Sequence, residues 1–182
     1  MNRGLWDRET VALMLLAAYM PIALFWLVYG GTGALARLGI AVLILAVWNI
    51  AFMLARAQPP SFAALIMALA VAMLAPEDLG VFHLLLGISF GAVMGELVFG
   101  GWGRNVVNPA TVALSFLGFG FPGFAWPGFD DPVIWAAIPA AVIGIATGVM
   151  PVAVLASAFA VGCAVVVTGV PLPENVLQIA GL

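Results

Sequence analysis

The residues of this chain that could do chemistry gather in one run, Gly100, Gly101, Trp102, Gly103, Arg104, Asn105, Val106, Val107, Asn108 and Pro109, which separates two apolar stretches. Irregular backbone at membrane depth is tolerated only where protein or a cavity buries it. Glycine permits positive φ and lets a ligand come close to the backbone, while Pro109 suits the first position of a new helix. Asn108 is then predicted to cap that helix. Its orphan N–H groups and the positive end of its dipole would point into the run, which suits an anionic or carbonyl-bearing group such as a quinone, a flavin or a phosphate. An ordinary interfacial turn, with Arg104 reaching lipid phosphates and the asparagines capping, accounts for the same residues.

Glu96 precedes the run by about one helical turn. A buried carboxylate in a membrane is costly and marks function by default, so it is a candidate for binding a cation or relaying protons, or it pairs with Arg104 across the turn. His83 has no second His or Cys to share a metal with, so no metal site is expected. Cys163, as a lone thiol in a helix of small residues, reads as packing; one Cys and one His exclude iron–sulfur ligation and a haem held from both sides. Trp126, Trp135, Phe124 and Phe129 read as an aromatic interface belt, and Trp102 is the aromatic placed to stack on a ring.

The elements that must position these groups are set by composition. Of 182 residues 65% are hydrophobic and 7% charged, with Lys plus Arg numbering 5 and Asp plus Glu 8. So few charges cannot cover a soluble globule, which averages about 25% charged residues. A net charge of −3 without a basic run argues against nucleic acid as a partner. The chain is therefore expected to be an all-α integral membrane protein, one membrane domain over residues 1–182.

Spans of ~20 residues cross the hydrocarbon. Val11 to Tyr29, with a kink expected at Pro21, and Ala34 to Ala55 fit; Gly30 and Gly31 end the first, Arg56, Pro59 and Pro60 the second. The first reads as a retained span rather than a signal peptide. Ser61 to Ala75 is short, and Leu79 to Phe99 spans. Gly87, Gly91 and Gly95 recur at every fourth position, a packing face for a neighbouring helix. Ala110 to Phe121 is a half-length segment after the Gly-rich break. Residues 133–170 form a helical hairpin turning near Gly148 and Pro151, and Pro171 to Leu182 is a short tail. The total is about six or seven crossings, two of them short. If each segment crosses, Arg3, Arg8, Arg56 and Arg104 share one side, and Arg37 lies opposite with Glu77, Asp78, Asp130 and Asp131. That asymmetry places the N-terminus in the cytoplasm of a bacterial-type inner membrane.

The run from Gly87 to Pro122, and above all its core Phe99-Gly-Gly-x-Gly-x-Asn-x-x-Asn-Pro-Ala110, closely resembles the signature of the NqrB/RnfD family. These are membrane subunits of the sodium-translocating NADH:quinone reductase and of Rnf electron-transport complexes. The resemblance covers roughly residues 10–122, the first of two related halves that a family member about twice as long contains. It implies cofactor-binding roles for Gly100, Gly101, Trp102, Gly103, Arg104, Asn105, Asn108 and Thr111, with flavin or quinone held non-covalently. The family's second half carries a Thr, in a Ser-Gly-Ala-Thr-like or Glu-Thr-Ser-Thr-like context, that bonds FMN covalently. Neither Thr147 nor Thr111 stands in such a context, so no covalent FMN is expected.

The resemblance thus implies a partial subunit of an Nqr/Rnf-like redox complex, incomplete as a catalyst alone, touching lipid and other membrane subunits. A small channel or carrier built on broken helices is the alternative from another class, and a purely structural assembly subunit is a third.

Overall fold

The computed structural model describes residues 7–57 and 61–168, and every regular element among them is helical. Arg3, Pro59, Pro60 and the tail from Pro171 to Leu182 lie outside the described residues.

Helix α1, Arg8–Arg56, is 49 residues long, and Asp7 caps it by accepting from the Arg8 N–H. A straight helix of that length would stretch about 73 Å. Yet Arg8 Nη1 lies 3.4 Å from the Trp102 carbonyl oxygen and Arg56 Nη1 lies 3.1 Å from that of Val98, so both ends of α1 meet the same stretch of chain. The reversal falls at Gly31, whose φ of 56° and ψ of −139° are open to glycine and not to L side chains. Two arms, 8–30 and 32–56, therefore run back to back, as the Gly30-Gly31 boundary predicts. Pro21, where the sequence predicts a kink, does not leave helical φ/ψ.

The next helices shuttle between the same two ends. Helix α2, Ala63–Leu74, starts beside the first turn of α1: Glu9 Oε2 accepts from the Ser61 hydroxyl at 3.1 Å and from the Phe62 N–H at 3.2 Å. Phe62, the cap residue of α2, has no side chain able to do this, so Glu9 supplies the cap from another helix. At the far end of α2, Arg37 from the second arm donates to the carbonyls of Ala75, Pro76 and Glu77. A cation that satisfies helix C-terminal carbonyls also complements the negative end of the dipole.

Helix α3, Val81–Ala92, runs back and continues as a π-helical turn, Val93–Leu97. Helix α4, Pro109–Gly120, returns alongside it, and the glycines at 87, 91 and 95 set the contact. A Cβ at Gly95 would fall 2.9 Å from Pro109 Cα, one at Gly91 2.6 Å from the Pro109 oxygen, and one at Gly87 2.5 Å from Leu117 Cγ. The spacing of four residues is answered by Pro109, Ala113 and Leu117 on α4, so the glycine row is a helix-packing face, as its periodicity predicts.

Beyond α4, the Phe121 ring meets His83 edge-on at 4.5 Å between centroids. Helices α5, Asp131–Trp135, and α6, Ala137–Ala146, follow and pack on α1, and α7 is Val152–Thr168. The turn between α6 and α7 contains Gly148 at φ 73° and Pro151, where the sequence places it. Cys163 is exposed on α7, which corrects the expectation of a packed position. The core is thin and fine-grained: Ala41, Val71, Ile88, Ala113 and Leu117 are buried, and Trp48 Nε1 donates to Ser89 Oγ at 2.8 Å at its half-buried edge. Leu43, Leu54, Phe82 and Phe119 face outward, so the molecule is apolar on both its inner and outer surfaces.

Candidate functional site

The π-helical turn delivers the chain into the glycine run. Val98 N–H bonds to the Val93 carbonyl, an i to i−5 step, and Gly101 N–H returns to the Glu96 carbonyl at 3.1 Å. Gly100, Gly101 and Gly103 then take φ of 108°, 88° and 81°. An L side chain at any of these would be strained, so the glycines fix the path of this turn. Arg104 N–H closes it on the Gly101 carbonyl at 3.1 Å.

Two arginines from the ends of α1 hold the turn. Arg56 Nη1 donates to the Val98 carbonyl at 3.1 Å. Arg8 Nη1 donates to the Trp102 carbonyl, and Trp102 Nε1 donates back to the Arg8 carbonyl at 3.1 Å. Arg8 also lies along Gly103, where a Cβ would meet its Cδ at 3.4 Å. Neither Arg8 nor Arg56 stands out as a site residue in the sequence. The signal that finds them is the side count, which puts both at the same end as Arg104.

Asn105 Nδ2 donates to the Val107 carbonyl at 3.3 Å, a local brace. Asn108 caps α4, its Oδ1 accepting from the Ala110 N–H at 2.9 Å, with Pro109 at the first helical position. That cap narrows what α4 can offer a ligand. Pro109 has no N–H, Ala110 is taken by the cap and Val112 bonds the Asn108 carbonyl, which leaves the Thr111 N–H without a partner among the described residues. The Arg104 side chain folds back across Gly100, where a Cβ would lie 3.1 Å from its Nη1. It makes no hydrogen bond or ion pair to a described residue.

Glu96 sits in the π-helical turn, 6% exposed, the one charged side chain found buried among the described residues. The ion pair with Arg104 suggested by the spacing does not form among the described residues: the Arg104 side chain lies across Gly100. Thr147 is tied to its own helix, its hydroxyl donating to the carbonyls of Ile143 at 2.8 Å and Gly144 at 3.2 Å.

The arrangement offers a rigid turn, a guanidinium, a free amide N–H and an indole held by its nitrogen at one end of the helices. The donor set is cationic and amidic, which suits a carbonyl-bearing or anionic ring.

Comparison with known proteins matches residues 6–165 to the family described as NQR2, RnfD, RnfE. The match runs past residue 122, where the resemblance read from the motif stops. A Na(+)-translocating NADH-quinone reductase subunit from Yersinia pestis is 35% identical over 72 residues, 40% of this chain and 17% of that protein. The corresponding protein from Chromohalobacter salexigens is 29% identical over 113 residues, 62% of this chain and 28% of its own length. That from Klebsiella pneumoniae is 33% identical over 97 residues, 52% and 24% respectively. The chain thus spans well under half the length of the curated relatives it matches.

Proposed function

This chain belongs to the NQR2, RnfD, RnfE family, and on that premise we propose that it is a multi-pass membrane subunit of an Nqr/Rnf-like redox complex whose turn from Gly100 to Asn108 binds a flavin or quinone without a covalent bond. The observation that carries this reading is the clamped turn itself: three positive-φ glycines, pinned by Arg8 and Arg56, beside an Arg104 that no described residue engages. An interfacial turn that merely reverses the chain has no need of anchors from both ends of a 49-residue helix.

In this reading Gly100, Gly101 and Gly103 keep the backbone open to the ring, Trp102 walls it, and Arg104 with the Thr111 N–H donates to its carbonyl or phosphate oxygens. Asn105 and Asn108 hold the turn and the helix start. The bound group supplies the electron-carrying chemistry, and partner subunits supply the rest of the path. Glu96, buried just behind the turn, is the group through which an ion or proton would be coupled, because a carboxylate at that depth is costly to keep. The two arms of α1, α2, α3, α4, the α5–α6 pair and α7 are then the crossings. The 12-residue helices α2 and α4 reach only about 18 Å and so are flanked by protein rather than lipid at their ends. The end holding Arg8, Arg56 and Arg104 faces the cytoplasm of a bacterial-type inner membrane.

The test is to purify the chain with its complex and compare bound flavin, quinone reduction and subunit retention in Gly101→Ala and Arg104→Ala. Each should lower cofactor content or quinone reduction at least tenfold while the chain still inserts. Wild-type values in both variants would sink the site and leave an ordinary turn.

A further inference from the structure

At the end of the molecule opposite the glycine turn, two adjoining cavities of about 380 and 50 Å³ share Trp26, Gly30 and Glu77. The larger is an apolar slot walled by Trp26, Ile40 and Leu84, with Arg37 in its lining. Arg37 is anchored: Nη2 donates to the Pro76 carbonyl at 2.7 Å and to that of Ala75, and Nη1 donates to the Glu77 carbonyl at 3.2 Å. Those three bonds go to neutral oxygens; Glu77 lines the same cavity but makes no ion pair with Arg37 among the described residues, and one Nη1 hydrogen remains to donate. The smaller cavity has the opposite character. Tyr29, Trp26 and Phe129 wall it, and the carboxylate residues Glu77 and Asp130 complete its lining. Aromatic faces with carboxylates attract an ammonium.

Arg37 lines only the larger cavity and Asp130 only the smaller, with Glu77 at the boundary they share, and a cation and carboxylates arranged so beside an apolar slot match one amphiphile. We infer that these cavities hold the headgroup of a phospholipid bearing a primary amine. Its phosphate lies against Arg37, its ammonium between Glu77 and Asp130, and an acyl chain leaves along Trp26, Ile40 and Leu84. The inference rests on the membrane reading, since Trp26 and Tyr29 then stand at the level where aromatic residues meet headgroups. It is independent of the flavin or quinone site at the other end. A glycerol headgroup carries the same phosphate charge but no ammonium to offset Glu77 and Asp130. A trimethylammonium has no N–H to donate to the carboxylates.

Native mass spectrometry of the full chain, released from bilayers holding equal amounts of phosphatidylethanolamine, phosphatidylglycerol and phosphatidylcholine, tests this. The ethanolamine lipid should be retained at least fivefold over each of the others. Asp130→Asn and Glu77→Gln, both at exposed residues, should bring that preference within twofold without changing the thermal midpoint. Asp130 makes no side-chain cap bond to α5, so that variant leaves the helix start as it is. Equal retention of the three lipids by the wild-type chain, or an undiminished preference in both variants, overturns the site. Free phosphorylethanolamine at millimolar concentration should not displace the lipid; displacement would overturn the lipid assignment in favour of a soluble ligand.

Discussion

Arg8 and Trp102, ninety-four positions apart, hydrogen bond each other in both directions: the guanidinium donates to the Trp102 carbonyl at 3.4 Å and the indole N–H donates to the Arg8 carbonyl at 3.1 Å. Each side chain reaches a main-chain oxygen of the other's segment. The Arg8 carbonyl lies in the first turn of α1 and has a second lone pair to offer, and the Trp102 carbonyl lies in the glycine turn, where no regular ladder serves it. The position of the glycine turn relative to the first helix is therefore fixed by two residues that sequence proximity could never bring together.

Trp102→Phe should keep the aromatic wall and lose the indole donor. The bond is exposed, so the loss should be near the low end of a single hydrogen bond, about 0.5–1 kcal/mol. Limited proteolysis within residues 98–108 should speed up in this variant, and unchanged cleavage would show that the pair does not hold the turn.

Gly91→Ala should be the most damaging of the glycine-row substitutions. The new methyl would meet the Pro109 oxygen at 2.6 Å and the Ala113 nitrogen at 2.9 Å, both backbone atoms that cannot swing aside. Overpacking of this kind costs about 1–3 kcal/mol. At Gly87 the obstacle is the flexible Leu117 side chain, so Gly87→Ala should cost less. Thermal denaturation in detergent orders the two, and the reverse order would contradict the α3–α4 packing described above.

Asn108→Ala removes the oxygen that accepts from the Ala110 N–H. Loss of such a cap costs roughly 0.5–2 kcal/mol. Amide exchange at Ala110 should accelerate while the far end of α4, packed through Leu117, stays protected.

The denatured chain should run without in-gel flavin fluorescence, because Thr147 spends its hydroxyl on its own helix and lacks the context of a flavinylated threonine. A fluorescent band that vanishes on Thr147→Ala would overturn this.

A reporter fused ahead of residue 1 should be cytoplasmic, since Arg8, Arg56 and Arg104 gather at that end and Arg37 stands with Glu77 and Asp130 at the other. A periplasmic reporter would invert the orientation and place the glycine turn outside.

Sequence alone determined what depends on neighbours along the chain. The reversal at Gly31, the α4 start at Asn108 and Pro109, and the turn at Gly148 and Pro151 follow from local φ/ψ preferences and from which residues lack an N–H or a Cβ. The all-helical character follows from apolar runs too long and too poor in charge for any other course. The grouping of the arginines was legible because successive helices run back and forth between the same two ends. Only the tertiary structure decided what each of those charges does. Arg8 and Arg56 clamp the glycine turn, Glu9 caps a helix that begins some fifty residues later, and Arg37 closes the C-terminal end of α2. The proximity of Glu96 and Arg104 in sequence suggests an ion pair, and the turn sends Arg104 across Gly100 instead. The physical reason is common to all of these. A long charged side chain bonds whichever unsatisfied backbone oxygen or N–H the packing brings within reach, and the packing is set by where small residues such as Gly87, Gly91 and Gly95 allow helices to touch, not by order along the chain.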